Sequence, residues 1–132
     1  MKVRMRLAAA ALGVMAIASP AFAHHSFQAV FDMQSSLTLH GTVTKFDFIN
    51  PHGRLYLDVK DEATGKVTNW SAEVSNPNAM LRLGWHKNTV KPGDVLTVVG
   101  AKARDGSNFV LGRTFTLPDG RQLLGNSPNA SR

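Results

Sequence analysis

The sequence predicts an all-β fold with one short helix, a small five- to six-stranded barrel of the OB-like, Greek-key type. Most of the chain after residue 36 alternates apolar and polar residues with a period of two, which is typical of half-buried strands. The segments follow the order strand, strand, strand, short helix, strand, strand, and the first strand is long and changes phase. A long bent strand is typical of a small closed barrel, because the same strand takes part in both halves of the barrel. An open β-sandwich of the same strands is the alternative.

The first 23 residues have the three-part pattern of a secretory signal peptide. Three basic side chains, Lys2, Arg4 and Arg6, precede an apolar run of twelve residues at 7–18, and residues 21–23 form a small-x-small cleavage site. The apolar run is too short to span a bilayer. We therefore expect cleavage after Ala23, export to the periplasm or beyond the cell, and no membrane span once the signal is removed.

The composition of the predicted mature chain, residues 24–132, limits its chemistry. Its 109 residues are enough for one domain with a modest core. The whole chain has 15 Lys and Arg against 9 Asp and Glu, and loss of the three basic leader residues leaves an excess of only three. This spread-out charge predicts that nucleic acid is not a partner. The chain has no cysteine, which excludes thiolate metal sites and thiol catalysis.

The mature chain is predicted to begin with an irregular N-terminal arm, residues 24–36, anchored by Phe27, Val30 and Phe31. The first strand follows at residues 37–50. Its apolar residues change phase after Thr44, which predicts a β-bulge or sharp bend at that point.

A hairpin and a short helix come next. Alternation around Leu55 and around Trp70 predicts the second and third strands, joined by a loop at residues 61–66. Asn76 before Pro77 has the pattern of a helix cap, and Gly84 has that of a helix stop.

The last strands are predicted from alternation between turn signals. The fourth covers residues 95–101, the fifth begins at Phe109 and carries a possible bend at Gly112, and a short final strand covers residues 122–124. The barrel domain then spans residues 37–125. Residues 126–132 are polar and predicted to be a disordered tail.

The main functional signal lies where the leader ends, because cleavage after Ala23 makes His24 the first residue. Its α-amine and imidazole would form a six-membered chelate ring, and imidazole and amine nitrogens in a tetragonal arrangement suit Cu(II). His25 or a loop histidine would supply a further nitrogen, and His52, in the turn after the first strand, is the best loop candidate. The predicted metal ligands are His24, His25 and His52, with copper as the cofactor.

Two alternatives to this copper site remain open. In the first alternative, His24 and His25 are only polar residues at a frayed terminus. In the second, cleavage falls after Ala21 and leaves Phe22-Ala23-His24, a different amine-and-peptide copper chelate. His40 is interpreted as a solvated strand residue and His86 as a loop or packing residue.

A second functional hypothesis is a binding module without metal. OB-like barrels bind ligands on an aromatic face, and here Tyr56, Trp85 and His52 would contact a periplasmic protein or a small ligand. Trp85, which follows the helix stop, is also expected to plug one end of the barrel. Glu73 is expected to form an ion pair with Arg82. No G-x-S-x-G, phosphate-loop or H-E-x-x-H motif is present, so nothing in the sequence argues for an enzyme.

Several motifs occur together in one order along the mature chain. They are His24-His25-Ser26-Phe27, Asn50-Pro51-His52, Trp70 with Glu73, Leu81-Arg82-Leu83-Gly84-Trp85, Lys91-Pro92-Gly93-Asp94, Asp105-Gly106-Ser107 and Leu117-Pro118-Asp119-Gly120-Arg121. In this combination the chain resembles a family of small secreted bacterial proteins of unknown function that begin His-His-Ser-Phe after the signal. The resemblance implies a fold and export, and no activity. That family commonly has an aromatic pair after Asn-Pro-His, where this chain has Gly53-Arg54, so part of any ligand surface made by those aromatics is lost.

Overall fold

The structure, a computed structural model, describes residues 27–127. The predicted leader, His24 and His25 lie outside these residues, as does the tail from residue 128. The elements in chain order are helix α1 (Phe27–Val30), strands β1 (Leu37–Asp47), β2 (Gly53–Lys60) and β3 (Val67–Val74), helix α2 (Pro77–Arg82), and strands β4 (Val95–Lys102), β5 (Phe109–Thr116) and β6 (Gln122–Leu124).

The six strands form one closed sheet in the order β3-β2-β1-β4-β5-β6. Parallel pairing of β3 with β5 closes the first five strands into a barrel, and β6 adds an extra strand to β5. The long strand β1 pairs with β4 through its first half and with β2 through its second half. The predicted OB-like barrel is confirmed, and the open sandwich is excluded by the β3–β5 closure.

The predicted bulge in the first strand lies where the phase of the sequence changes. The register between β1 and β2 shifts between Val43 and Lys45, so Thr44 is the extra residue. The shift returns Phe46 to the apolar side of the barrel, where its ring contacts Trp85 with 5.7 Å between ring centroids. A bulge both bends a strand and restores its inside-outside alternation, which a barrel this small requires.

The helix between β3 and β4 is capped as the sequence predicts. The Asn76 side-chain oxygen accepts a hydrogen bond from the Ala79 amide at 3.0 Å, and Pro77 occupies the first helical position. Gly84 takes a positive φ of 90° after the last turn. The helix buries Met80 in the barrel core.

Trp85 lies at the centre of the main core, which fills the barrel. It has no exposed surface, and its ring meets Phe115 edge to face at 5.0 Å between centroids. The indole N–H donates to the Leu124 carbonyl at 2.9 Å, so its one polar atom is satisfied inside the core. This hydrogen bond also ties the short strand β6 to the barrel.

A second, smaller core lies outside the barrel, between the N-terminal arm and the β4–β5 hairpin. Its buried residues are Phe31, Ala101, Ala103 and Leu111. Of the predicted anchors, Phe31 is 1 % exposed and holds the arm, whereas Val30 is 38 % exposed and does not. The described part of the arm, from residue 27, is more regular than predicted because it contains α1.

Backbone hydrogen bonds fix the arm along this hairpin. The Asp32 amide donates to the Lys102 carbonyl at 2.8 Å, and the Arg104 amide donates to the Val30 carbonyl at 2.9 Å. The Arg113 guanidinium donates to the carbonyls of Met33 and Ser35 at 2.6 and 3.1 Å. The arm is therefore attached at several points from residue 28 to residue 35.

Asn126, the first residue of the segment predicted to be a tail, is hydrogen-bonded to the barrel. The Asn126 side chain donates to the Gly112 carbonyl and accepts from the Ser75 hydroxyl, each at 2.9 Å. Ser75 is buried, so its hydroxyl needs this partner. Across residues 27–127 no helix has the length and apolar character needed to cross a membrane.

Candidate functional site

His52 lies at the exposed end of the β1–β2 turn, directly after a cis peptide bond between Asn50 and Pro51. Its side chain is 46 % exposed, so part of its surface is open to solvent. The next residue, Gly53, begins β2 and pairs with Val74 at the end of β3. This register places His52 beside Glu73, with 3.5 Å between the imidazole Nδ1 and the carboxylate Oε1.

The Glu73 carboxylate lies beneath His52 and is only 15 % exposed. Burial raises the pKa of the Glu73 carboxyl above its usual 4.5, and the charges of a protonated His52 and of Arg54 oppose that rise. Arg54 is the direct cross-strand partner of Glu73. The carboxylate is therefore placed between two groups that can carry positive charge.

The N-terminal arm reaches the same place. The Phe27 ring contacts the His52 imidazole edge to face, with 6.0 Å between centroids. Phe27 also packs on Phe31 at 6.4 Å, and Phe31 packs on Phe109 at 5.0 Å. The Arg54 guanidinium lies 4.5 Å from the centre of the Phe109 ring, a cation–π arrangement.

These contacts close a ring of side chains that joins the arm to strands β2, β3 and β5. We call it the His52 cluster, and its members are Phe27, Phe31, His52, Arg54, Glu73 and Phe109. Its apolar half continues the small outer core, and its polar half presents His52 to solvent. The arrangement holds one imidazole in place at the point where the chain that leads back to His24 leaves the described structure.

The predicted site residues differ in where they lie and in how exposed they are. His24 and His25 lie outside the described residues, and His52 is where the sequence placed it, in an exposed turn. Trp85 has no exposed surface, so it cannot contact a ligand or partner from this position and is removed from the candidate site. Tyr56 lies on the outer face of β2, partly buried, with the Lys45 ammonium 5.4 Å from its ring centre.

His40 and His86 make no contact with the His52 cluster among those found in the described residues. His40 is exposed on β1, and its Nδ1 is 2.9 Å from the Thr97 hydroxyl. His86 is exposed after α2, as its loop interpretation predicts. In the part of the chain from 27 to 127, no three His, Asp or Glu side chains are grouped to hold a metal ion. Within that part His52 is thus a single imidazole with a carboxylate behind it.

The role of Glu73 was missed by the sequence argument. The expected ion pair with Arg82 does not form, because Arg82 ends α2 with an exposed side chain while the Glu73 carboxylate faces His52. The hairpin carried a usable signal. Lys60 pairs with Val67 across the loop, and the same register continued along both strands brings Arg54 opposite Glu73 and the turn at His52 next to it.

Comparison with known proteins supports the fold and gives no activity. A model described as a family of unknown function, DUF6152, matches residues 10–112. The comparison with curated proteins gives no match. Among solved structures, the chain is similar to the mitochondrial single-stranded DNA-binding protein Rim1 of S. cerevisiae, with a TM-score of 0.50 and 14 % identity over 64 % of this chain and 93 % of that one.

The likeness to Rim1 corrects the exclusion of nucleic acid. That exclusion rested on the mild net charge alone, and it is wrong as an exclusion, because the barrel architecture found here is one that a single-stranded DNA-binding protein has. At 14 % identity the likeness concerns the fold. What Rim1 binds is a property of Rim1.

Proposed function

The chain belongs to DUF6152, a family of unknown function, and we propose from its own residues that it is an exported Cu(II)-binding protein of the periplasm. Its ligands would be the α-amine and imidazole of His24, together with His25 and His52. Its role would be to handle or deliver copper. The observation that supports the proposal is the contact between Phe27 and His52, because Phe27 would be the fourth residue of the mature chain and its ring lies against this imidazole.

Chain length makes this arrangement feasible. Phe27 follows His24 by three positions, and three extended residues span at most about 11 Å. The Phe27 ring already touches His52, and the arm behind it is fixed by Phe31 and by hydrogen bonds to the β4–β5 hairpin. A first residue at His24 would therefore start within reach of His52, which would lower the conformational cost of bringing their nitrogens together.

The donor set determines the choice of metal. An amine and imidazoles are nitrogen donors of intermediate softness, and Cu(II) has the highest affinity for such sites among the divalent ions of the first transition row. Bound copper would supply a positively charged centre, held by the amine and imidazoles of His24, His25 and His52. The protein would contribute a terminus that is restrained and an imidazole that is open to solvent.

Export is the condition for this chemistry, since the amine exists only after cleavage. The leader pattern supports it, and the family match begins at residue 10, so the matched segment includes the junction between Ala23 and His24. Without cleavage, His24 has an amide nitrogen in place of the amine and cannot form the six-membered chelate.

The test is a copper titration of protein exported and purified from a periplasm, with its first residue established by mass spectrometry. We expect His24 as the first residue and one tightly bound Cu(II) per chain. His24→Ala and His52→Gln should each weaken binding, whereas His40→Gln, which changes another exposed histidine, should leave it unchanged. The same protein with its α-amine acetylated should bind weakly, because an amide nitrogen does not replace the amine in the chelate ring.

Three results would defeat the proposal. A first residue other than His24 removes the chelate. Binding that His24→Ala leaves unchanged shows a different site. Equal losses in His52→Gln and His40→Gln show that copper is collected by surface histidines in general.

A second candidate function is binding of single-stranded nucleic acid on the outer face of β1–β3. The observation that favours it is Tyr56, an aromatic ring on that face with Lys45 beside it, since such barrels stack bases on aromatic side chains and attract phosphates with cations. It ranks second because Asp47, Asp58 and Glu73 lie on the same face and repel phosphates. Fluorescence titration with a labelled oligothymidylate in the presence of a chelator tests it, with loss of binding in Tyr56→Ala as the supporting result.

A further inference from the structure

In the polar half of the His52 cluster, a carboxylate lies next to one ring nitrogen of the imidazole. The copper proposal alone does not require this carboxylate. Glu73 is the carboxylate that faces His52, and it approaches the imidazole through Nδ1. The side chain as a whole is 46 % exposed, and the described residues make no hydrogen bond to the opposite ring nitrogen, Nε2. A histidine that binds a metal through one nitrogen commonly directs the other at a carboxylate, which fixes the tautomer and the ring orientation.

We propose that Glu73 is a positioning residue that holds His52 as the Nδ1–H tautomer, so that Nε2 is the nitrogen offered to copper; this inference rests on the proposed function. Glu73 is suited to the task because β3 and β5 pair beside it and its side chain is largely covered. The distance of 3.5 Å is roughly 0.3 Å beyond the range of an N–H···O hydrogen bond, so a small ring rotation completes the contact.

Two neighbours restrict the imidazole and the carboxylate further. The Phe27 ring stands edge to face against His52 and limits its rotation on the side of the arm. Arg54, the cross-strand partner of Glu73, stacks on Phe109 and keeps a positive charge on the other side of the carboxylate. The Glu73 carboxylate therefore lies between the cationic Arg54 side chain and the His52 imidazole. His52 is the exposed residue of these three.

The first experiment needs no metal. Nitrogen NMR of the imidazoles at pH 8 reports which ring nitrogen of each histidine carries the proton. We expect the Nδ1–H form to predominate at His52, to persist in part in Glu73→Gln, whose amide oxygen still accepts, and to lose its predominance in Glu73→Leu. Asp58→Leu is the matched control, since Asp58 is a carboxylate on the same outer face that bonds Asn69, and it should leave His52 unchanged.

The second experiment measures Cu(II) affinity in the same variants. Loss of an outer partner of a ligating histidine typically costs 10–100-fold, and we expect a loss of roughly that size in Glu73→Leu and a smaller loss in Glu73→Gln. The Asp58→Leu control should bind as the wild type does. Far-ultraviolet circular dichroism of each variant separates a local effect from unfolding.

The outcomes separate this inference from the copper proposal. If His52→Gln weakens copper binding while Glu73→Leu changes neither the tautomer nor the affinity, copper binds at His52 and the role given to Glu73 is wrong. If the tautomer depends on Glu73 but His52→Gln leaves copper binding unchanged, the positioning contact exists and the copper proposal fails. A predominant Nε2–H form of His52 in the wild type overturns the inference directly.

Discussion

The two hydrophobic cores of this protein differ in size, position and consequence. The main core fills the barrel and includes residues from every strand of the five-stranded closure, with Trp85 at its centre. The outer core has four buried residues and holds the N-terminal arm against the β4–β5 hairpin. The first determines whether the barrel folds, and the second determines where the arm from Phe27 onward lies. Stability and site geometry are thus carried by separate sets of side chains.

The largest effect is expected from truncation in the main core. Trp85→Ala removes a wholly buried indole and its hydrogen bond to Leu124, and we expect the free energy of unfolding to fall by about 4 kcal/mol. Urea denaturation measures it. Trp85→Phe, which keeps an aromatic ring, should lose clearly less. If Trp85→Ala costs less than about 1 kcal/mol, the barrel core described here is not the main source of stability.

A smaller effect on global stability, and a larger one on the site, is expected from Phe31→Ala. The arm can detach without opening the barrel, so the global cost should stay near 1–2 kcal/mol, below the 3–5 kcal/mol typical of a buried phenylalanine. Hydrogen exchange should accelerate at the amides of Asp32 and Arg104, which bond across the arm, and stay slow in β1.

The control for the arm is Val30→Ala, because Val30 lies in the same segment with an exposed side chain. We expect it to change neither stability nor exchange. Equal acceleration of exchange in the arm and in the barrel after Phe31→Ala would show that the two cores unfold as one unit, against the separation described above.

A third, smaller effect should follow from Arg113→Lys. The guanidinium bonds two arm carbonyls at once, and an ammonium group cannot reproduce that fork. We expect a loss of about 1 kcal/mol, with faster exchange confined to the arm. Thermal unfolding together with hydrogen exchange measures both quantities. An unchanged arm would mean that the apolar contacts of Phe31 hold it without help.

The smallest expected effect is on the stability of the barrel at acid pH, through the Asp94 carboxyl. Hydrogen bonds from Lys91, through its ammonium and its backbone amide, lower the pKa of Asp94 below its ordinary 3.8. A carboxyl whose pKa is lower in the folded state stabilises that state at pH values above its unfolded-state pKa, here about 3.8. The contribution is lost as the pH falls through the lower, folded-state pKa. Urea denaturation between pH 2 and pH 7 should therefore show a shallower acid loss in Asp94→Asn. The same acid slope in both proteins would contradict this.

The parts of the fold that depend on local sequence could be predicted. The bulge at Thr44 follows from a change of phase within one strand, and the start of α2 follows from Asn76 and Pro77. The parts that depend on distant contacts could not. Asn126 looked like the start of a polar tail because its partners, Ser75 and Gly112, are far away in sequence.

The candidate site divides in the same way. His52 could be selected from its turn, which is a local feature. Its carboxylate partner depends on the register of the β2–β3 hairpin, and its contact with Phe27 depends on the docking of the arm by Phe31. Trp85 shows the opposite error: an aromatic residue after a helix stop is equally compatible with a surface and a core position, and only the packed barrel decides between them.

The copper proposal requires that the outer core holds the arm so that His24 and His52 can bind one copper ion. Paramagnetic line broadening in the NMR spectrum of the mature protein tests it most directly, with Cu(II) added in less than one equivalent. The account predicts that signals of His52 and Phe27 broaden first while those of His40 and His86 stay sharp. Broadening that begins at His40 or His86, or that leaves His52 sharp, would contradict it.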